Sequence, residues 1–91
     1  MTTLLVQHEV QAFEDWKQGF DGHEDGRKLH GATGHRLVRD GNRISILIDF
    51  PDSESAKSFV EDPALREVMS KAGVIGAPTV TIADDVESVT Y

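Results

Sequence analysis

The sequence has no cysteine in 91 residues. That excludes a disulfide framework, a thiolate metal site and a cysteine nucleophile. It is also poor in positive charge, with 9 Lys and Arg against 16 Asp and Glu, a formal net charge of −7. The shortage is uneven: residues 46–91 carry three bases and nine acids. With no basic stripe and a pI near 4.8, nucleic acid is not an expected partner. Anionic membrane surfaces are disfavoured for the same reason. Long apolar runs are missing too. Ile46-Leu47-Ile48 is only three residues, far short of a bilayer span. Met1-Thr2-Thr3-Leu4 has neither a basic n-region nor an apolar h-region, so a cytoplasmic location is the expectation.

What is present is the composition of an ordinary folded domain, 38% apolar and 27% charged. Its length bounds it to a single domain, residues 1–91. A core of that size is marginal for a lone monomer, and dimerisation is a common remedy.

Periodicity supplies the elements. Leu4, Val6 and His8 share one face of a first strand over 3–9, opposite Leu5, Gln7 and Glu9. Phe13, Trp16 and Phe20 fall at i, i+3 and i+7 and predict a helix over about 11–21. His23 to His30 is read as a second short helix interrupted by Gly22 and Gly26. Thr33 to Asp40 is a strand, Asp40-Gly41-Asn42 a tight hairpin turn, and Arg43 to Phe50 the clearest strand. Its Ile44, Ile46, Ile48 and Phe50 alternate with Arg43, Ser45, Leu47 and Asp49. Pro51 ends it. Asp52 or Ser53 caps a helix whose apolar face is Ala56, Phe59 and Val60, and Asp62-Pro63 restarts one bearing Leu65, Val68, Met69 and Ala72. Gly73 closes that helix. A final strand through Val80 and Ile82 follows Gly76-Ala77-Pro78, and Val86 to Tyr91 either extends it or pairs with a neighbour.

The order β-α-β-β-α-β is the ferredoxin-like α+β plan: a four-stranded antiparallel sheet with helices on one face. Leu47 lies on the other sheet face. A partly apolar bare face wants a second sheet, so a homodimer closing into a barrel is expected.

Against that plan the chain resembles the dimeric α+β barrel superfamily, which includes antibiotic-biosynthesis-monooxygenase-type domains. More narrowly it is similar to small bacterial barrel proteins of mostly unassigned role, some labelled cyclases. The residues that carry the resemblance are His8-Glu9-Val10, Phe13-x-x-Trp16-Lys17, Phe20-Asp21, His23, Arg27 and Gly31. Asp40-Gly41-Asn42, the Ile44–Phe50 strand, Ala56-x-x-Phe59 and Pro63-x-Leu65-Arg66-x-x-Met69 continue it. Ala72-Gly73-Val74-x-Gly76-x-Pro78 is its most distinctive piece. Ala12-Phe13 departs from it, where an Asp before the aromatic is expected; the first helix loses a cap. The resemblance implies oxygenation, cyclisation or isomerisation of a small apolar, aromatic or polyketide-like molecule, without a cofactor. The fold also hosts non-enzymes, and a non-catalytic dimeric module binding a small ligand or a partner protein is the alternative.

All four histidines lie between residues 8 and 35. Imidazole exchanges protons near neutral pH. His8 is the first candidate for a catalytic base and His23 the second. The competing reading of His8 is a structural residue, hydrogen-bonded at the strand end. Phe13, Trp16, Phe20, Arg27, His30 and His35 are the candidate substrate-binding residues. For the aromatic stripe ordinary core packing is the competing reading; Arg27 is a candidate to bind a carboxylate or enolate, with a surface ion pair as the competing and favoured reading. Asp49, on the non-helix face, is expected to pair with Arg36, Arg39 or Arg43. No HxH, HxxxH or HExxH pair exists, so no metal site is expected. A His and carboxylate site assembled by folding is the remaining metal route, for instance His8 with His23 and an acid; a haem needs only one axial His but more room. The glycines form no phosphate loop and no serine sits in a nucleophile elbow. Catalysis requires a cavity of about 300 Å3 or more with a His at its wall; a binding module allows a filled core.

Overall fold

The computed structural model describes residues 1–91. Strand β1 (Thr2–Val10) leads into helices α1 (Phe13–Gly22) and α2 (Glu24–Leu29). The hairpin β2 (Gly34–Asp40) and β3 (Arg43–Phe50) follows, then α3 (Ser53–Glu61), α4 (Pro63–Lys71) and β4 (Val74–Asp84). The sheet order is β2-β3-β1-β4, antiparallel throughout. This is the expected ferredoxin-like plan, with each helical crossover split in two.

Burial follows the two-residue period of the central strands. Leu4, Val6, His8 and Val10 of β1 and Ile44, Ile46, Ile48 and Phe50 of β3 are all buried. They form the sheet's helix side, and Trp16, Phe20, Ala56, Phe59 and Ala72 pack down on it. Gly19 lets α1 approach α4 closely, since a Cβ there would lie 3.1 Å from that of Ala72. Caps set the helix starts. Asp52 accepts from the Ser55 amide at 2.8 Å and Asp62 from the Ala64 amide at 2.9 Å. Ala12 offers α1 no side-chain cap, and Glu14 and Asp15 in its first turn complement the helix dipole instead.

Strand β4 differs from the sequence expectation. It begins at Val74, before Gly76-Ala77-Pro78 rather than after it. Val74 pairs with Val10 and Ile75 with Glu9, then pairing resumes at Thr79 with Gln7. The residues between are a bulge opposite His8 alone. Gly76 supplies the positive φ of 73° the kink requires, and Pro78 has no N–H to leave unpaired. At the other end β4 stops at Asp84 because its partner β1 has run out at Thr2. The Asp85 amide still donates to Met1 O at 2.9 Å, but Val86 is 98% exposed. Residues 86–91 therefore do not extend the strand.

The sheet's second face is open. It carries Leu5 and Leu47, paired across β1 and β3, with Thr, Gln and Ser around them. Asp49 lies on it and forms no ion pair within the chain. Arg39 points to the opposite side, its guanidinium 4.1 Å from the centre of the Phe13 ring.

The two faces should fail differently. Ile46→Asp buries an unpaired carboxylate at a site 6% exposed and should cost about 4 kcal/mol or more, enough to unfold the chain. Leu47→Asp should leave it folded. Circular dichroism melts check this, and equal loss of structure in both would contradict the face assignment.

Candidate functional site

His8 stands in an apolar row of β1 because strand alternation puts it there. Its ring meets Trp16 edge-on, centroids 5.6 Å apart. Trp16 stacks on Phe20 at 5.1 Å, one helical turn on. The Phe20 face carries the Arg27 guanidinium at 3.7 Å, and its edge meets His35 at 5.0 Å. His23, between α1 and α2, lies 6.0 Å from Phe59. Gly26 makes room for it: a Cβ there would come within 2.5 Å of the His23 ring.

These groups surround a cavity of about 60 Å3 between sheet and helices. His8, Trp16, Phe20, His23 and Arg27 line it, with Ile46 and Ile48 below and Leu65, Val68 and Met69 of α4 above. Two ring nitrogens, His8 Nδ1 and His23 Nε2, are buried without a hydrogen-bond partner. Buried polar atoms are ordinarily satisfied, and exceptions point to function. The structural reading of His8 needs a bond that ties the strand end to another element, and Nδ1 has none beyond a contact with its own backbone.

Burial pushes the His8 pKa below its usual value, partly offset by its own backbone. It does the same to His23, helped by the positive charge of Arg27 and by His30 and opposed by Asp62. Both rings are therefore neutral at pH 7, each able to accept a proton.

The other candidates are dispersed. Arg27 is not in a surface ion pair: it is 4% exposed, and Asp21 and Glu24 are bound to Lys17 and Lys28. His30 does not reach the cavity. Its Nδ1 meets Ser58 Oγ at 2.6 Å and its Nε2 meets Asp62 Oδ2 at 2.8 Å, tying the end of α2 to α3 and to the start of α4. That bond, with the Ala64 amide, holds the Asp62 carboxyl below the usual range. Phe13 packs on Trp16 at 6.0 Å but lies outside the cavity wall. His35 lines a separate groove on the far side of Arg27. The α4 roof was missed as part of a site, although its stripe Leu65, Val68 and Met69 was legible.

No group of three or more His, Asp or Glu converges as a metal site. A porphyrin, like any aromatic ligand, would need the helices to move, since the free volume is about 60 Å3. Pockets for large ligands run to about 300–1,000 Å3, and a macrocycle would have to unpack Trp16 and Phe59 from the core.

No protein-family model matches the sequence, and no curated protein matches it. Solved structures do. SnoaB, a cofactor-independent oxygenase from Streptomyces nogalater, aligns over 99% of this chain and 97% of its own, with TM-score 0.80 and 12% identity. A protein from Bordetella bronchiseptica described as an antibiotic biosynthesis monooxygenase covers 94% and 97%, with TM-score 0.79 and 16% identity. A variant of MhuD, solved with two manganese protoporphyrin IX per active site, covers 100% of both chains, with TM-score 0.73 and 15% identity. The chain shares the ferredoxin-like α+β fold of these structures.

The neutral histidines impose a pH dependence. Their folded pKa lies below the unfolded value of about 6.5, so the unfolded chain binds more protons on acidification. Their contribution to stability is complete above about pH 6.5 and is lost as pH falls through the lowered folded values. The melting temperature should drop between pH 7.5 and 5.5, and less steeply in His8→Phe. An equal drop in both would contradict the assignment for His8.

Proposed function

We propose that the chain is the subunit of a homodimeric, cofactor-independent oxygenase acting on a small phenolic or enolic aromatic compound, with His8 or His23 as the proton-accepting base. The observation that carries the reading is the pair of neutral imidazoles, each with a bare ring nitrogen, in the wall of one apolar cavity. The fold likeness to SnoaB, itself described as a cofactor-independent oxygenase, is consistent with it.

The chemistry is balanced without a cofactor. The base removes a proton from an acidic C–H or O–H of the substrate, leaving an electron-rich carbanion or phenolate. That anion gives one electron to dioxygen, and the two radicals combine at carbon as a peroxide. The imidazolium returns its proton to give a hydroperoxide; the base then takes the remaining C–H proton as the O–O bond breaks, and hydroxide leaves with that proton as water. In net terms a substrate methylene and one dioxygen become a carbonyl and one water. The apolar wall keeps competing water away from the anion, and Trp16 and Phe20 hold the ring flat.

The free volume of about 60 Å3 falls short of the roughly 300 Å3 expected of a catalytic cavity and is below that of an aromatic ring with substituents, so binding requires the roof to give. Helix α4 is suited to this, since none of its residues is fully buried. The same small volume favours the second reading, a dimeric binding module with no reaction.

Oxygen uptake with a panel of anthrone-type and hydroquinone-type compounds separates the two. With a turned-over substrate, loss of the base should cost ~10²–10⁴ in rate, in His8→Ala or His23→Ala. Full turnover in both variants would refute the base assignment, and tight binding with no uptake would favour the module.

The open sheet face is read as the dimer contact, because Leu5 and Leu47 are apolar and β1 and β3 are its centre. Sedimentation should give twice the 10.0 kDa subunit mass, with an interface above about 1,000 Å2. Leu47→Asp should yield monomers. A wild-type monomer at micromolar concentration would overturn the assembly.

A further inference from the structure

Arg27 is a buried cation without a counter-ion. It is 4% exposed on the short helix α2. Its Nη1 donates to the Phe20 carbonyl at 2.7 Å, its one protein acceptor, and its guanidinium lies 3.7 Å over the Phe20 ring. The guanidinium has five N–H donors in a planar fork, so most remain free. The nearest acids are committed elsewhere: Asp21 to Lys17 at 2.6 Å and Glu24 to Lys28 at 3.5 Å. No carboxylate lies within ion-pair distance of it; Glu24 and Asp21 act on it only from farther off, and its remaining donors reach the adjoining groove rather than being sealed in the core.

Arg27 also separates two spaces. On one side is the apolar cavity with His8 and His23. On the other is a groove of about 260 Å3 that it shares with Lys28, Thr33 and His35, where Glu24 is the one acid. An aromatic ring resting against Trp16 and Phe20 would have a substituent within reach of the guanidinium.

We infer that Arg27 is the receptor for a carboxylate on the ligand, so that the site takes aromatic carboxylic acids rather than neutral phenols. A planar carboxylate matches the guanidinium fork in a two-point, charge-assisted contact. The Phe20 ring fixes the plane in which that contact forms. One free cation calls for one negative charge; Lys28 is already neutralised by Glu24. The inference rests on the reading of the cavity as the substrate site, and it names the class of substrate.

Binding can be tested without turnover. Wild-type protein is titrated with 4-hydroxybenzoate and with its neutral isostere 4-hydroxybenzamide, following the Arg27 Nε–H and the histidine ring resonances by NMR. The carboxylate should bind at least about tenfold more tightly than the amide. Arg27→Met should abolish that difference, weakening the carboxylate far more than the amide. Arg27→Lys, which keeps the charge but loses the fork, should retain part of it and serves if the Met variant does not fold. His8→Ala and His23→Ala should keep the preference even where turnover is lost. A failed oxygenase reading would thus leave the carboxylate preference intact, whereas a failed Arg27 reading would leave neutral phenols oxidised normally. Equal affinity for the two probes in wild type, a preference surviving in Arg27→Met, or no shift with either probe would overturn the inference.

Discussion

One row of side chains on β1 governs the rest of the molecule. Leu4, Val6, His8 and Val10 share the buried side because strand alternation leaves no choice. A one-residue slip would turn the whole row to the open face. Three members of the row are apolar and bind the helices; the fourth is an imidazole carried into the same dry layer. The β4 bulge at Gly76–Pro78 sits opposite that residue alone. Bulges recur beside functional sites, where they break regular pairing. The site is thus a local exception written into the element that holds the fold together.

Dryness explains the site's electrostatics. Little water reaches the layer, so charge there is penalised. His8 and His23 respond by staying neutral, which leaves each with proton-accepting capacity at pH 7. Arg27 cannot respond that way, because a guanidinium does not lose its proton in proteins. It spreads its charge over the Phe20 ring and keeps free donors instead. A core built only for stability would hold apolar residues at the two buried places, His8 and Arg27. Departures from local rules of this kind concentrate at functional sites. By contrast His30, equally central in sequence, is fully bonded between Ser58 and Asp62, and its work is to join α2 to the α3–α4 corner.

Much of this was legible in the chain. The alternation of Ile44, Ile46, Ile48 and Phe50 defines β3, and the Asp40-Gly41-Asn42 turn fixes its partner. Asp62-Pro63 marks the α4 start to the residue. His8, Trp16 and Phe20 come together as strand and helix periods require. What was not legible depended on long-range pairing. Val74 and Ile75 join the sheet only because Val10 and Glu9 offer free edges, and their Gly-rich surroundings read as a loop. Arg27 looked like surface because its acidic neighbours suggest an ion pair; its burial comes from Phe20, in the preceding helix. The bonds of His30 to Ser58 and Asp62 link segments that share no local signal.

The central claim is that two imidazoles stand neutral and unpaired in one apolar wall. The most direct test follows the ring carbon-bound protons of all four histidines by NMR from pH 8 to pH 4.5. The account predicts that His8 and His23 both titrate below about 6.5, the ordinary histidine value. If His8 protonates at or above that value with the chain still folded, its ring is paired or solvated, and the account of the site is wrong.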